Sequence, residues 1–366
     1  KRFAGNASDN LASVVAYKAV MENCGREAKD LKPEARWFVE PFGFIFAART
    51  LEKHPDKRPS DHDFAKILFE NGFDAIQGVG GYFNQLVEGQ VDFMHRTRVY
   101  APPIDGKDPL RWTKSMRMLQ TPNVAAFEPQ SFVPRMTAGY RTFSIDIMAA
   151  FDNIGPLFDA IQDHEDAWAN SLEGWKNDRF GPRVDVRSEI VSNLGQRITL
   201  FTGYDTPVSV DSERSLFAIE ATNEKALSAA IEKWMKSEPD VVRRELGQYV
   251  VWERVPPQLA VEEPDVPGFT TLGSDEEDQE AQEEEANERV LPNSAVTVAM
   301  GHLMMASDIK YLGEIVEGFG QRDRLASSLD YEQVVGVLNQ QMPGERCVLE
   351  FGRSDEELRP IFELVR

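Results

Sequence analysis

Apolar and polar positions along this chain change period several times, and each change marks an element. Leu11 to Cys24 carries apolar residues at helical spacing, with Pro33 closing the loop behind it; Trp37–Glu40 reads as a short strand ended by Pro41. Helical patterns follow over 43–54 and 61–71, the second with Ser60 and Asp61 as caps. From Phe73 the period becomes two. A strand from Ala75 to Val87, a turn at Glu88-Gly89-Gln90, and Val91, Phe93, Thr97 and Val99 alternating with Asp92, Arg96 and Arg98 predict a hairpin whose charged positions form one wet face. Leu110–Leu119 reads as helix, and the Pro-rich stretch from Thr121 to Pro134 as a boundary.

Beyond it, Ala138–Ile147 reads as a strand running into a helix over 148–161, with further helix near 165–176 and 184–194 and a strand at Arg197–Phe201. Ser215–Ala221 alternates as a strand. Asn223 then caps a helix with Leu227, Ala230, Ile231 and Trp234 on one face. Hairpins are expected about Gly247-Gln248 and Gly301, and Ser307 as the cap of a helix carrying Ile309, Leu312, Val316 and Phe319. This alternation predicts an α+β fold, a mostly antiparallel sheet with helices packed on one face.

One pattern occurs twice. Leu11-Ala12-Ser13, Tyr17 and Val20 return in the same register as Leu325-Ala326-Ser327, Tyr331 and Val334. Each copy leads into an extended stretch, Trp37–Glu40 and Cys347–Glu350, with spacings that differ by four residues. The expectation is a duplicated unit: residues 1–122, truncated at its start, and 123–366, with an acidic loop at about 256–292.

Charge narrows the function classes. The formal net charge is −21; nine of the 61 acids crowd into 275–288, and the other 52 still outnumber the 40 basic residues. Such a surface repels phosphate backbones, so nucleic acid is not an expected partner. No run of about 18 apolar residues is present, so no membrane span is expected. Cys24 and Cys347 are too few for a disulfide framework; two buried thiols or a single bridge between the copies both fit.

Candidate chemistry is sparse. Gly78-Val79-Gly80-Gly81 lacks the strand-then-helix context of a phosphate loop and reads as a bulge or close backbone approach in a sheet. The 275–288 tract lacks the alternating ligands and turn glycine of an EF-hand and reads as a solvated loop. Asp61-His62-Asp63 is a candidate contributor to a metal site that reads first as an ordinary surface stretch, and His164-Glu165-Asp166 lacks the second histidine of a zinc protease because position 168 is Trp168. Arg214, and Asp355-Glu356-Glu357 with Arg359, read as surface ion-pair formers; Trp168, Trp175, Trp234 and Trp252 as packing aromatics. No catalytic, cofactor or metal residues are assigned.

Several strings together resemble a family of uncharacterised exported bacterial proteins of planctomycete type. They are Tyr17-Lys18-Ala19-Val20-Met21 with Cys24, Arg36-Trp37-Phe38-Val39-Glu40-Pro41, Gly72-Phe73-Asp74-Ala75-Ile76 with Gly78-Val79-Gly80-Gly81, and His95-Arg96-Thr97. Phe132-Val133-Pro134, Ser192-Asn193-Leu194-Gly195-Gln196-Arg197, Ser212-Glu213-Arg214, Gly301-His302-Leu303 and Asp355-Glu356-Glu357-Leu358-Arg359-Pro360 extend it over nearly the whole chain. The resemblance implies a signal or anchor upstream of Lys1 and a periplasmic or secreted location. It carries no activity.

The expected function is a non-enzymatic binding or scaffold protein at the cell envelope, its partner a protein or another envelope component. One alternative is an enzyme with a site in a cleft between the two units, where His95 and His302 on their hairpins are the candidates. Another is a calcium-dependent surface or adhesion component built on the acidic tract. A solvated tract predicts a melting temperature unchanged by calcium or EDTA; a calcium-dependent rise in a thermal melt would assign the tract a site.

Overall fold

The computed structural model describes residues 10–28, 32–51, 63–87, 91–103, 112–125, 127–209, 212–255, 294–318 and 323–364. The fold is α+β, on one three-stranded and one eight-stranded sheet, both antiparallel throughout. The chain divides into two units, 1–120 with 149–170, and 121–148 with 171–366. Among the described residues no helix is long and apolar enough to cross a membrane. The 275–288 tract, Asp61-His62 and the turn at 88–90 lie outside the described residues.

In the first unit a 3-10 turn at Leu11–Ser13 leads into α1 (Val15–Ala28), β1 (Ala35–Val39), α2 (Pro41–Leu51) and α3 (Phe64–Glu70). Pro41, which ends the strand, also opens α2, where its missing N–H costs nothing. The cap of α3 is Asp63, whose carboxylate accepts from the Lys66 N–H. The hairpin follows as β2 (Gly78–Val87) and β3 (Val91–Tyr100), in sheet order β1-β2-β3. Helix α1 sets Val20 and Cys24 against Tyr82, with Met21, Phe38 and Tyr100 around them. Gly78 permits this closeness of α1, and Gly81, on the opposite face, the close approach of β3. A Cβ on Gly78 would lie 2.7 Å from the Phe38 ring and 3.0 Å from Ala16, and one on Gly81 would lie 1.8 Å from the Arg96 carbonyl oxygen. The segment predicted helical at 110–119 forms a 3-10 turn, Lys114–Met118.

The larger sheet begins with β4 (Gly139–Ser144). Helices α4 (Ile147–Asn153), α5 (Gly155–Gln162) and α6 (Ala167–Asn177) follow, then β5 (Leu194–Tyr204) and β6 (Glu213–Ala221). Next come α7 (Glu224–Met235), β7 (Val241–Leu246), β8 (Tyr249–Arg254), β9 (Ala295–Ala299), β10 (His302–Ala306) and α8 (Ile309–Glu317). A 3-10 turn at Leu325–Ser327, α9 (Leu329–Gln341), β11 (Val348–Gly352) and α10 (Ser354–Leu364) close the chain, and the strand order is β11-β4-β5-β6-β10-β9-β8-β7. Asp308, one residue beyond Ser307, caps α8 by accepting from the Tyr311 N–H, while the Ser307 hydroxyl donates to Asp308.

The expected single helical face describes the three-stranded sheet. The eight-stranded sheet carries helices on both. Leu312, Ile315 and Val316 of α8 and Tyr331 of α9 bury one face with Tyr140, Phe201, Leu216, Met304 and Phe351. Leu227 and Ile231 of α7 bury the other with Trp252 and Leu303. Adjacent Leu303 and Met304 are both buried, as central strands require when both faces are covered. Helical periodicity shows that a helix has an apolar face and is silent about which side of the sheet receives it.

The repeated pattern folds alike at both ends. Turn, helix, edge strand and helix recur in order, every starting residue of the closing set lying 313 or 314 positions after its counterpart. Tyr17 meets Phe38 edge-on at 5.5 Å and 84°, and Tyr331 meets Phe351 at 5.3 Å and 76°. This pairing corrects the sequence alignment, because Phe38 corresponds to Phe351, three residues further on than matching Trp37 to Cys347 implies. Strand pairing agrees: Ala35–Phe83–His95 in β1-β2-β3 takes the places of Val348–Phe143–Ile198 in β11-β4-β5. In the second copy Arg353 also clamps Asp330 with two hydrogen bonds (2.6 and 3.1 Å) and donates to the carbonyls of Arg135 and Thr137, holding the Asp330 carboxyl well below its ordinary range.

Gly81→Ala is expected to destabilise the first unit by about 3 kcal/mol or more, because the new methyl meets backbone that cannot move aside. Thiol-reagent kinetics at buried Cys24 report it: labelling accelerates in Gly81→Ala and stays slow in Gly203→Ala, whose Cβ would meet nothing.

Candidate functional site

The β2–β3 hairpin has the expected period with its faces exchanged. Arg96, predicted to face water, is buried at 9% exposure on the side covered by α1, and alternation puts Arg98 and Tyr82 on that side with it. Phe93 and Val99, predicted to face the core, are 54% and 58% exposed. The small residues on the α1 side of β2, Gly78 and Gly80, explain the exchange. Gly78 leaves room for Phe38 and for Ala16 of the helix, and the arginine charges on this side act on Cys24. Burial, the larger effect, pushes the Cys24 thiol pKa up, and Arg98 and Arg96 oppose it.

The other face of this sheet has no helix from α1 on it and carries a row of rings. Gly81, between Trp37 and Thr97 in the pairing, leaves a gap across which the Trp37 indole reaches β3. Its N–H donates to His95 Nε2 at 3.0 Å, so Nε2 is the unprotonated nitrogen; the Thr97 hydroxyl lies 3.2 Å from the same atom. Trp37 and His95 have centroids 5.8 Å apart and planes 35° apart. His95 to Phe93 is 6.3 Å at 41°, and Phe93 to Phe83 is 5.4 Å at 32°. Four rings thus tile the open face in a continuous strip. Trp37, Phe83 and Phe93 were not singled out from sequence. The signal that could have found them was the glycine string of β2, since a strand face emptied of side chains cannot be the one that carries the bulk.

His302 is placed differently. In the second unit its Nδ1–H donates to the Met300 carbonyl at 2.8 Å and its ring meets Phe132 at 4.9 Å and 76°. Burial lowers its pKa, with the Met300 carbonyl opposing, which keeps the ring neutral as a packing element. Nearby Arg197 pins segment 127–133 onto the sheet. It donates to the Glu128 carbonyl at 2.6 Å and Thr142 Oγ1 at 3.1 Å, and lies over the Phe127 ring at 5.4 Å, while Gln130 donates to Thr199 at 2.7 Å. The structure puts His95 and His302 in separate units, each in a packing or hydrogen-bonding role of its own.

The remaining candidates resolve simply. Gly78–Gly81 lie within β2, and Trp175 packs against Trp234, Trp168 against Phe151 and Phe158, at angles of 53–63°. Arg214 bridges Asp205 and Asp308, and Arg359 pairs with Glu356. Both cysteines are free thiols, Cys24 buried and Cys347 partly exposed. Among the described residues no group of three or more His, Cys, Asp or Glu side chains could hold a metal ion. An open groove of about 500 Å³ in the second unit is lined by Leu246, Ile309, Lys310, Gly313, Glu314 and Glu317. No protein-family model, curated protein or solved structure matches this chain.

A histidine whose pKa is lowered by folding makes the unfolded chain the better proton acceptor. Stability of the second unit should therefore fall as pH drops below about 6.5, the ordinary value for histidine. Chemical denaturation from pH 7.5 to 5 is expected to show this slope in the native chain and a flatter one in His302→Gln.

Proposed function

We propose that this chain is a non-enzymatic extracytoplasmic binding or scaffold protein whose contact surface is the open face of the three-stranded sheet. One observation carries the reading: Trp37, His95 and Phe93, exposed, and Phe83, partly buried, form a contiguous strip of rings on one face of the sheet. Leaving such rings in water is unfavourable unless something covers them in use. The roles of the two histidines point the same way, since His95 supports the strip and His302 supports a core. The extracytoplasmic placement is supported by the resemblance of the sequence strings to exported proteins.

Retention on isolated cell-envelope material tests the reading. Trp37→Ala combined with Phe93→Ala is expected to weaken retention at least tenfold, since buried aromatic anchors contribute about 1–2 kcal/mol each. Phe180→Ala, a substitution at a ring 83% exposed in the second unit, should leave it unchanged. Failure of the native chain to bind, or equal binding by the double variant, overturns the proposal.

A further inference from the structure

We propose that the strip takes a neutral polysaccharide chain, whose sugar rings stack on Trp37, His95, Phe93 and Phe83. This rests on the contact surface proposed above and names its ligand class. The first argument is orientation. Several packed aromatic pairs meet nearly at right angles, as in Tyr17–Phe38 at 84°, Phe42–Phe69 at 82° and Tyr331–Phe351 at 76°, while others, the buried pair Phe132–Phe201 at 39° among them, are tilted. The strip's neighbours are tilted by only 32–41°. An edge-on pair spends one ring's face on its partner, whereas tiled rings keep their faces available to a third molecule. A pyranose suits such a face, because its axial C–H bonds carry slight positive charge toward the negative quadrupole of the ring.

Charge is the second argument. Alternation gives the open face Ala35, Trp37 and Val39 from β1, Val79, Gly81, Phe83 and Gln85 from β2, and Phe93, His95, Thr97 and Val99 from β3. That set contains no Asp, Glu, Lys or Arg, although the chain as a whole carries −21. Arg36, Arg96 and Arg98 fall on the other face. An uncharged platform in an acidic chain complements an uncharged ligand, and both nucleic acid and anionic lipid meet repulsion without a compensating cation. Gln85, Thr97 and His95 Nδ1–H provide hydrogen-bonding partners for sugar hydroxyls beside the rings. A protein partner fits less well, because its anchors bind in pockets that shed all their water, and this surface is a shallow strip.

Affinity electrophoresis through gels containing neutral polysaccharides (hydroxyethylcellulose, xylan, a mixed-linkage β-glucan, dextran) or a polyanion (alginate) provides the test. The native chain should be retarded by at least one neutral polymer and not by alginate. Trp37→Ala and Phe93→Ala should each weaken that retardation about tenfold, the loss of one stacked ring, with Phe180→Ala unchanged. A second arm treats envelope material with periodate, which cleaves vicinal diols, or with protease. Retention lost to periodate and resistant to protease supports the proposal. Retention that survives periodate and is lost to protease identifies a protein partner and overturns the polysaccharide while leaving the surface reading intact. Equal binding by native and ring-substituted chains overturns the surface reading itself.

Discussion

A helix packed over the sheet, its tyrosine set edge-on against a phenylalanine of the edge strand, is the constraint on which both units depend. β1 and β11 lie at sheet edges, where unpaired backbone groups invite slippage or pairing with another chain. Tyr17 on Phe38 and Tyr331 on Phe351 fix the height of each helix over its strand. Such a pair contributes about 0.5–1.5 kcal/mol beyond the area it buries. Its larger effect is on register, since a slip of one residue would turn Phe38 or Phe351 to the opposite face. The common pairing of β1-β2-β3 and β11-β4-β5 follows from that anchor.

From the same three-strand arrangement the units diverge through a few side chains. In the second, Tyr140 meets Tyr331 of α9 and Phe201 meets Tyr311 of α8 on one face, and Ile198 on the reverse face is 9% exposed. In the first, glycines stand where bulk would be expected on β2, so α1 approaches closely and the arginines of β3 are drawn under it. Aromatic residues are displaced to the outside as a direct consequence. His95 occupies the position equivalent to Ile198, and Trp37 crosses Gly81 to reach it. A structural requirement, close helix packing, thus generates the surface on which the functional reading rests.

Much of the fold was legible because its signals are local. Period-two alternation marked β2 and β3, Asn223 with Leu227, Ala230 and Ile231 marked α7, and Gly247 and Gly301, at φ +57° and +74°, marked two hairpins. Met300 also has positive φ (+53°), a conformation that bulky residues rarely adopt and that nothing local announces. The recurrence of Leu-Ala-Ser and Tyr was equally legible, whereas the strand frame of the second copy was three residues off. Extended propensity begins at Cys347, while the frame is set by Phe351 reaching Tyr331 from the facing helix.

The candidate site divides along the same line. His95 was recognisable as a strand residue on a hairpin, and its alternation with arginines was plain; which side was wet was not. Alternation carries the spacing of faces but has no sign. Sequence by itself determined the α+β class, the helical and extended stretches and the recurrence at the two ends, all consequences of φ/ψ preference and period within a few residues. Tertiary structure alone decided that α7 and α8 take opposite faces of the larger sheet, that Arg96 goes inside and Phe93 outside, and that Trp37 meets His95 across a glycine. Each depends on the volume left by residues tens of positions away, and no local pattern encodes that volume.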